Sequence, residues 1–130
     1  MIKMQQPQAS TSLPSRVLVV DDDSQVRLAL SLYLEHLGVE CVVEGHVPSA
    51  LERLEAADHG IDVMIVDCTM PRSSGRECAE LALERSPELG VIYMSGFDLT
   101  QLESLEADSC FLKKPFSLEQ LSTRLVEANS

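Results

Sequence analysis

Short apolar runs alternate with amphipathic stretches along most of the chain. Five runs are rich in apolar residues, and their lengths suit β-strands. Their apolar residues are largely continuous, which is typical of strands covered on both faces, as in a parallel sheet. The predicted strands cover residues 16–20, 40–44, 61–66, 90–94 and 109–112.

The stretches between these runs show helical periodicity. In residues 24–37 the apolar side chains recur with the spacing of one helix face. Asp23 or Ser24 would cap this helix at its start, and Gly38 would end it. Further helices are predicted from Val47 with Pro48 in the first turn, over 74–86 before Pro87, weakly over 99–107, and after Ser117.

Five alternating strand and helix units predict an α/β fold. Its core would be a doubly wound, five-stranded parallel sheet with helices on both faces. Residues 1–15 are rich in Gln, Ser, Thr and Pro and are predicted to form a flexible tail or linker, with the domain covering residues 16–130. Ligands of open parallel sheets bind beyond the carboxyl ends of the strands. Polar residues at those ends are therefore the candidate site.

Three of the predicted strands end in charged residues. The first is followed by Asp21 and Asp22, the third by Asp67, and the fifth by Lys113 and Lys114. Two carboxylates about 4 Å apart repel each other by on the order of 4 kcal/mol at an effective dielectric constant of about 20. Such a cluster needs a cation or partial protonation. If the fold brings these strand ends together, they form a site for a divalent metal ion and a phosphoryl group.

Composition narrows the function classes. A chain of 130 residues with 45% hydrophobic and 24% charged residues suits one globular domain, expected in the cytoplasm. No apolar stretch approaches the roughly 20 residues of a membrane span. Ten basic against 21 acidic residues, a net charge of −11, argue against direct nucleic-acid binding. The four cysteines form no CxxC pair and are predicted to be small buried thiols, not zinc ligands or disulfides.

Four short motifs, in the order in which they occur along the chain, resemble those of the receiver domain of two-component response regulators. Any one of them is weak evidence, but the combination is specific, and the likeness covers roughly residues 16–128. The resemblance implies a flavodoxin-like receiver fold and a phosphoacceptor signalling domain, which catalyses only its own phosphorylation and dephosphorylation. The motifs are Val19–Asp23, Val66–Pro71 followed by Gly75, Tyr93–Gly96 and Phe111–Phe116.

The resemblance also implies a magnesium site around the phosphoacceptor. Asp67 matches the residue that accepts the phosphoryl group. Mg²⁺ takes six oxygen ligands, some of them water. Asp22 and Asp67 would bind it directly, together with the main-chain carbonyl of Thr69, and Asp21 would act through water.

Three further residues match family positions that respond to phosphorylation. Lys114 would pair with the acidic pocket and then with the phosphoryl oxygens. The Ser95 hydroxyl would donate to a phosphoryl oxygen and draw the following loop inward. Phe111 matches the aromatic switch position, although a plain core aromatic is the alternative. A cis peptide before Pro115 is common in the family, and Lys113 is predicted to be a surface charge.

The phosphoryl donor implied by the resemblance is a histidine kinase or a histidine phosphotransfer protein. Two other functions compete with this one. A haloacid-dehalogenase-type phosphatase uses similar residues with Mg²⁺, but its nucleophile loop follows the first strand, where this chain reads Asp21–Gln25. A receiver-like module that binds partners without phosphorylation is disfavoured because acceptor, acidic pair and lysine are all present. The sequence leaves open the oligomeric state and whether the domain stands alone or belongs to a hybrid sensor kinase.

Overall fold

The computed structural model describes residues 12–69, 75–96 and 110–129. Within them, five parallel strands form one sheet in the order β2-β1-β3-β4-β5. This order is the flavodoxin-like form of the doubly wound sheet, and the predicted fold class is confirmed. The elements are β1 Arg16–Val20, α1 Ser24–His36, β2 Glu40–Glu44, α2 Val47–Arg53, β3 Val63–Asp67, α3 Gly75–Arg85, β4 Gly90–Ser95, β5 Cys110–Lys113 and α4 Leu118–Ala128.

The strand boundaries differ from the prediction, for example at both ends of the third strand and at the end of the fourth. The third strand begins at Val63, not at residue 61, and it extends to include Asp67. The fourth runs on to Ser95. Main-chain pairing with neighbouring strands continues past the apolar residues that mark a strand in the sequence. The third and fourth strands therefore each end one residue later than predicted. The weak helix predicted over 99–107 lies outside the described residues.

Alternate residues of the central strands enter two separate cores, because successive side chains of a strand point to opposite faces. Val19 lies in one core with Leu30 of α1 and Leu121 of α4. Leu18 lies in the other, where α2 and α3 contribute residues such as Ala79. The sheet is thus covered on both faces, as the continuous apolar runs predicted.

Residues 12–15, which the sequence places in the tail, contact the domain. Pro14 is buried, and the N–H of Ser15 donates to Asp62 Oδ2 at 2.8 Å. Asn129 Nδ2 donates to the carbonyl oxygen of Ser12 at 3.1 Å. Burial of the proline and these long-range hydrogen bonds hold the segment against the amino-terminal end of the sheet. The division into tail and domain stays a prediction, since residues 1–11 lie outside the described part.

Helix α1 starts directly beside the carboxyl end of β1. The side chain of Asp23 caps it by accepting the N–H of Gln25 at 2.9 Å, which confirms Asp23 as the cap. Gly38 follows the helix with a φ of 78°, a left-handed conformation that glycine adopts without steric cost. The cap fixes where α1 begins and leaves Asp21 and Asp22 in the tight connection between strand and helix.

Replacing Gly90 with alanine is expected to destabilise the domain. A Cβ at Gly90 would clash with the carbonyl oxygen of Ala128 at the end of α4. That oxygen belongs to the backbone and cannot rotate away, so we expect Gly90→Ala to lower the free energy of unfolding by about 1–3 kcal/mol. Urea denaturation followed by circular dichroism measures this. Gly96→Ala is the control, because no atom of the described residues lies within 4 Å of its Cβ position; equal losses in both variants would contradict the packing argument.

Candidate functional site

The carboxyl ends of β1, β3 and β5 bring three predicted site residues into contact. Asp21 and Asp67 are 0% and 3% exposed. Lys114 Nζ lies 3.0 Å from Asp21 Oδ2 and 3.3 Å from Asp67 Oδ2. The Lys114–Pro115 peptide is cis, as the resemblance implied. A buried acidic pair therefore shares one ammonium group at the edge of the sheet.

A third carboxylate completes an acidic cluster. One oxygen from each of Asp21, Asp22 and Asp67 lies within 4.8 Å of the others. Asp22 is exposed, whereas the other two are buried. Carboxylate oxygens are the ligands that Mg²⁺ prefers, and it keeps several waters. Three carboxylates with one side open to solvent fit that donor requirement.

The two oxygens of Asp67 have different partners. Oδ1 accepts from the N–H of Thr69 at 2.8 Å and from its hydroxyl at 2.6 Å. Oδ2 faces Lys114. The predicted role of Thr69 as a metal ligand used its main-chain carbonyl, and this contact of its side chain was not predicted, although an aspartate side chain often accepts the N–H two residues later. These contacts hold the Asp67 carboxylate in one orientation.

The charges of the site favour binding of a cation. Burial raises the pKa of Asp21 above its ordinary value, against the opposing effects of the Asp23 N–H and of Lys114, and the charge of Asp67 raises it further. Burial alone would lower the pKa of Lys114, but the hydrogen bond and charge of Asp21, with Asp67, outweigh it and raise this pKa. Lys114 is therefore cationic at neutral pH. Within the described part of the chain, the Lys114 ammonium balances only one of the three clustered carboxylates.

Ser95 lies at the same edge of the sheet, whereas Phe111 does not. Ser95 is buried at the end of β4, and its carbonyl oxygen accepts the N–H of Lys114 at 2.7 Å. Phe111 is half-buried further back along β5, with its ring centroid 6.1 Å from that of Tyr93. Lys113 is exposed. The switching roles of Ser95 and Phe111 stay predictions.

Arg27 of α1 also contacts the site, and sequence reasoning missed it. Its Nη1 donates to the carbonyl oxygen of Asp21 at 2.7 Å. One signal was available: a cation close to the amino-terminal end of a helix is unfavourable for the helix dipole. An arginine at this position therefore indicates a compensating contact, which is the hydrogen bond to the carbonyl oxygen of Asp21.

A cavity of about 610 Å³ at the opposite end of the sheet contains a histidine and a serine. His59 Nε2 and Ser86 Oγ are 2.9 Å apart. His59 Nδ1 accepts the N–H of Ile61 at 2.9 Å, so a neutral ring carries its proton on Nε2 and donates to Ser86. A catalytic base has to accept the hydroxyl proton instead. This pair is therefore structural and does not form a nucleophilic site.

The cysteine beside the candidate phosphoacceptor is expected to be unreactive. Burial, and then the charge of Asp67, raise the pKa of Cys68 to about 11. The thiolate is the reactive form, so iodoacetamide at pH 7.5 should modify Cys68 about a hundredfold more slowly in the folded protein than in urea. Intact mass over time measures this. Modification in the native state at the rate seen in urea would contradict the prediction.

The other three cysteines behave alike. All four are free thiols, and burial raises the pKa of each of the remaining three to about 11.

Among the described residues, no helix is long and apolar enough to cross a bilayer.

Comparison with known proteins places this geometry in a family. The chain is 31% identical to the response regulator receiver protein CpdR of Brucella abortus over 109 residues, which are 82% of this chain and 89% of that protein. It is 33% identical to the transcriptional regulatory protein PdtaR of Mycobacterium tuberculosis over 87% of this chain and 56% of PdtaR. It also matches the sensor kinase CckA of Brucella abortus at 31% over 85% of this chain, but only 12% of CckA. The chain thus spans most of one relative and a part of the others.

Solved structures agree with these relatives. A response regulator receiver protein from Sinorhizobium medicae superimposes with a TM-score of 0.77 at 27% identity, covering 89% of this chain and 94% of that one. The receiver domain of the hybrid histidine kinase CckA gives a TM-score of 0.73 at 26% identity, covering 88% and 99%. The model of the response regulator receiver domain matches residues 17–126. The chain belongs to the response regulator receiver domain family, the phosphoacceptor domains of two-component systems.

Proposed function

We propose that this domain accepts a phosphoryl group on Asp67 from a histidine kinase or a histidine phosphotransfer protein, and that Mg²⁺ is required. The observation that carries the proposal is the setting of Asp67. It is buried at a strand end, oriented by Thr69, and in contact with Lys114 through its other oxygen. A buried carboxylate with an adjacent cation and two further carboxylates suits phosphoryl transfer better than a structural role.

The Asp21, Asp22 and Asp67 side chains would hold Mg²⁺, with the main-chain carbonyl of Thr69 as a further ligand. When bound, Mg²⁺ neutralises charge on the transferring phosphoryl group. The chain supplies positioning and electrostatics. Because Lys114 already lies 3.3 Å from Asp67 Oδ2, its ammonium can move to the phosphoryl oxygens while they gain charge, without a change of fold.

Asp67 is the nucleophile of the proposed step. One of its carboxylate oxygens forms the new bond to phosphorus while the bond from phosphorus to the donor imidazole nitrogen breaks. The imidazole leaves as a neutral ring when its other nitrogen carries a proton. Thr69 holds the carboxylate in place before the donor arrives, which lowers the entropic part of the barrier.

Ser95 and Phe111 would carry the signal from the site. Ser95 is the last residue of β4 and directly precedes Gly96. This position supports the proposal that its hydroxyl donates to the phosphoryl group and draws the following residues inward. Phe111 is half-buried against Tyr93 and is the group whose exposure would change. The free thiols support a reducing, cytoplasmic location.

Intact mass spectrometry tests the proposed function. The protein is incubated with acetyl phosphate or phosphoramidate, with and without Mg²⁺. We expect a gain of one phosphoryl group only with Mg²⁺, and its loss on treatment with hydroxylamine, which cleaves acyl phosphates. No gain in mass by a protein that demonstrably binds Mg²⁺ and is offered a protein donor would contradict the proposal and favour a module that binds partners without phosphorylation.

A further inference from the structure

We propose that Arg27 is a positioning residue for the acidic pair and that Gly45 provides the space it occupies. The inference rests on the proposed function, because it concerns Asp21 and Asp22 as metal ligands. Arg27 lies half-buried on α1, and its Nη1 donates to the carbonyl oxygen of Asp21 at 2.7 Å. The bond goes to the main chain and not to a carboxylate, so Arg27 acts through the backbone.

The oxygen that Arg27 holds belongs to the peptide unit that joins Asp21 to Asp22. A fixed peptide plane sets the direction in which the Asp22 side chain leaves the backbone. The next peptide unit is held as well, since the N–H of Asp23 donates to Asp21 Oδ1 at 2.9 Å. Asp22 is exposed, yet both peptide units that flank it have partners. The direction of its Cα–Cβ bond is therefore set by the backbone, and one of its carboxylate oxygens lies within 4.8 Å of those of Asp21 and Asp67.

Arg27 is one of four groups from different parts of the chain that hold Asp21. The N–H of Asp21 donates to the carbonyl oxygen of Glu44 at 3.2 Å, and its carboxylate accepts from Lys114 at 3.0 Å and from the N–H of Asp23. Loss of Arg27 leaves three of these bonds in place. It removes the partner of a buried carbonyl, whose peptide unit can then tilt. We therefore expect the loss of Arg27 to change the orientation of the Asp22 side chain.

Gly45 offers a second, independent way to displace the same guanidinium. It follows the end of β2, and a Cβ there would lie 2.8 Å from Arg27 Nη1. The clash is with the end of a flexible side chain, so the guanidinium moves and the fold remains. Gly45→Ala therefore takes Arg27 away from the carbonyl of Asp21 while both residues keep their identity.

Titration calorimetry with Mg²⁺ alone tests the inference on the unphosphorylated protein. Arg27→Met should weaken Mg²⁺ binding about tenfold, the usual effect of losing a group that orients a metal ligand. Gly45→Ala should weaken it by a similar factor, and the double variant no more than Arg27→Met alone. Arg27→Lys keeps one donor and should restore part of the affinity. Arg53→Met is the matched control, because Arg53 binds the neighbouring Glu44 side chain at 2.6 Å and should leave the affinity within about twofold.

The outcomes separate this inference from the proposed function. Equal affinity of wild type and Arg27→Met overturns it, as does a Gly45→Ala effect that is undiminished in the Arg27→Met background. Thermal unfolding without metal identifies a variant that loses Mg²⁺ affinity because it loses its fold. If Arg27→Met is such a variant, the Mg²⁺ affinities of Gly45→Ala and Arg27→Lys test the inference instead. A wild type that neither binds Mg²⁺ nor takes up a phosphoryl group overturns both proposals, whereas a wild type that does both while the variants match it overturns this one alone.

Discussion

Asp67→Asn is expected to abolish phosphoryl uptake. The carboxamide is neutral, and its nitrogen is not a nucleophile, so no bond to phosphorus can form. Asparagine has the same size and retains an oxygen that can accept the N–H and hydroxyl of Thr69, which now bind Oδ1 at 2.8 and 2.6 Å. The fold should therefore persist. After incubation with acetyl phosphate and Mg²⁺, the variant should keep its mass while the wild type gains one phosphoryl group.

Asp62→Asn provides the matched control for this substitution. Asp62 lies one residue before β3, at the other end of the same strand, and it binds the N–H of Ser15 at 2.8 Å. Its replacement removes the same charge from the opposite end of the strand, away from the acidic cluster, so phosphoryl uptake should be unchanged. If Asp67→Asn takes up phosphoryl groups as the wild type does, the nucleophile is another residue, and Asp21 and Asp22 become the candidates.

The sequence predicted most of the fold because the signals for it are local. A buried strand appears in the sequence as a continuous apolar run, and an amphipathic helix appears as apolar residues spaced so that they lie on one helix face. The site followed from topology, since the carboxyl ends of parallel strands meet at one edge. Asp21, Asp67 and Lys114 are separated widely in the chain, but each directly follows or ends a recognisable strand.

Contacts made by side chains across the chain were not predictable in the same way. The bond from Arg27 to the carbonyl of Asp21 depends on how α1 leans over the sheet. The packing of Pro14 and the bond from Asn129 to Ser12 depend on where the two ends of the domain meet. Residue patterns report periodicity and not such geometry. The predicted helix over 99–107 lies outside the described residues and stays a prediction.

The family match also argues against the phosphatase alternative. An enzyme of the haloacid-dehalogenase type needs its nucleophile directly after the first strand, at the position of Asp21. Here that carboxylate is buried, with one oxygen accepting the N–H of Asp23 and the other accepting from Lys114. Asp21 is thereby engaged in holding the loop, whereas Asp67 is the acceptor in the proposed function.

Lys114→Met should uncouple metal binding from phosphorylation. Lys114 is the cation that contacts both buried carboxylates, at 3.0 and 3.3 Å, and its side chain is 22% exposed. Without it, Asp21 and Asp67 lose their internal counter-charge, and we expect metal-free stability to fall by about 2–3 kcal/mol, somewhat less than for a fully buried pair. The more acidic pocket should bind Mg²⁺ at least as tightly as in the wild type. Phosphorylation by acetyl phosphate should nevertheless slow by about 10²–10³-fold, because the ammonium that we propose to stabilise the phosphoryl oxygens is gone.

Lys113→Met separates this effect from a general loss of positive charge. Lys113 is adjacent in sequence but exposed, so its removal should change stability by less than about 0.5 kcal/mol and leave the phosphorylation rate unchanged. Urea denaturation with and without Mg²⁺ measures the first quantity, and intact mass against time measures the second. Mg²⁺ should stabilise Lys114→Met more than the wild type, since it then replaces the ammonium that balances the Asp21 and Asp67 carboxylates. A variant that is phosphorylated at the wild-type rate would show that Lys114 only balances charge in the resting site and does not act on the phosphoryl group.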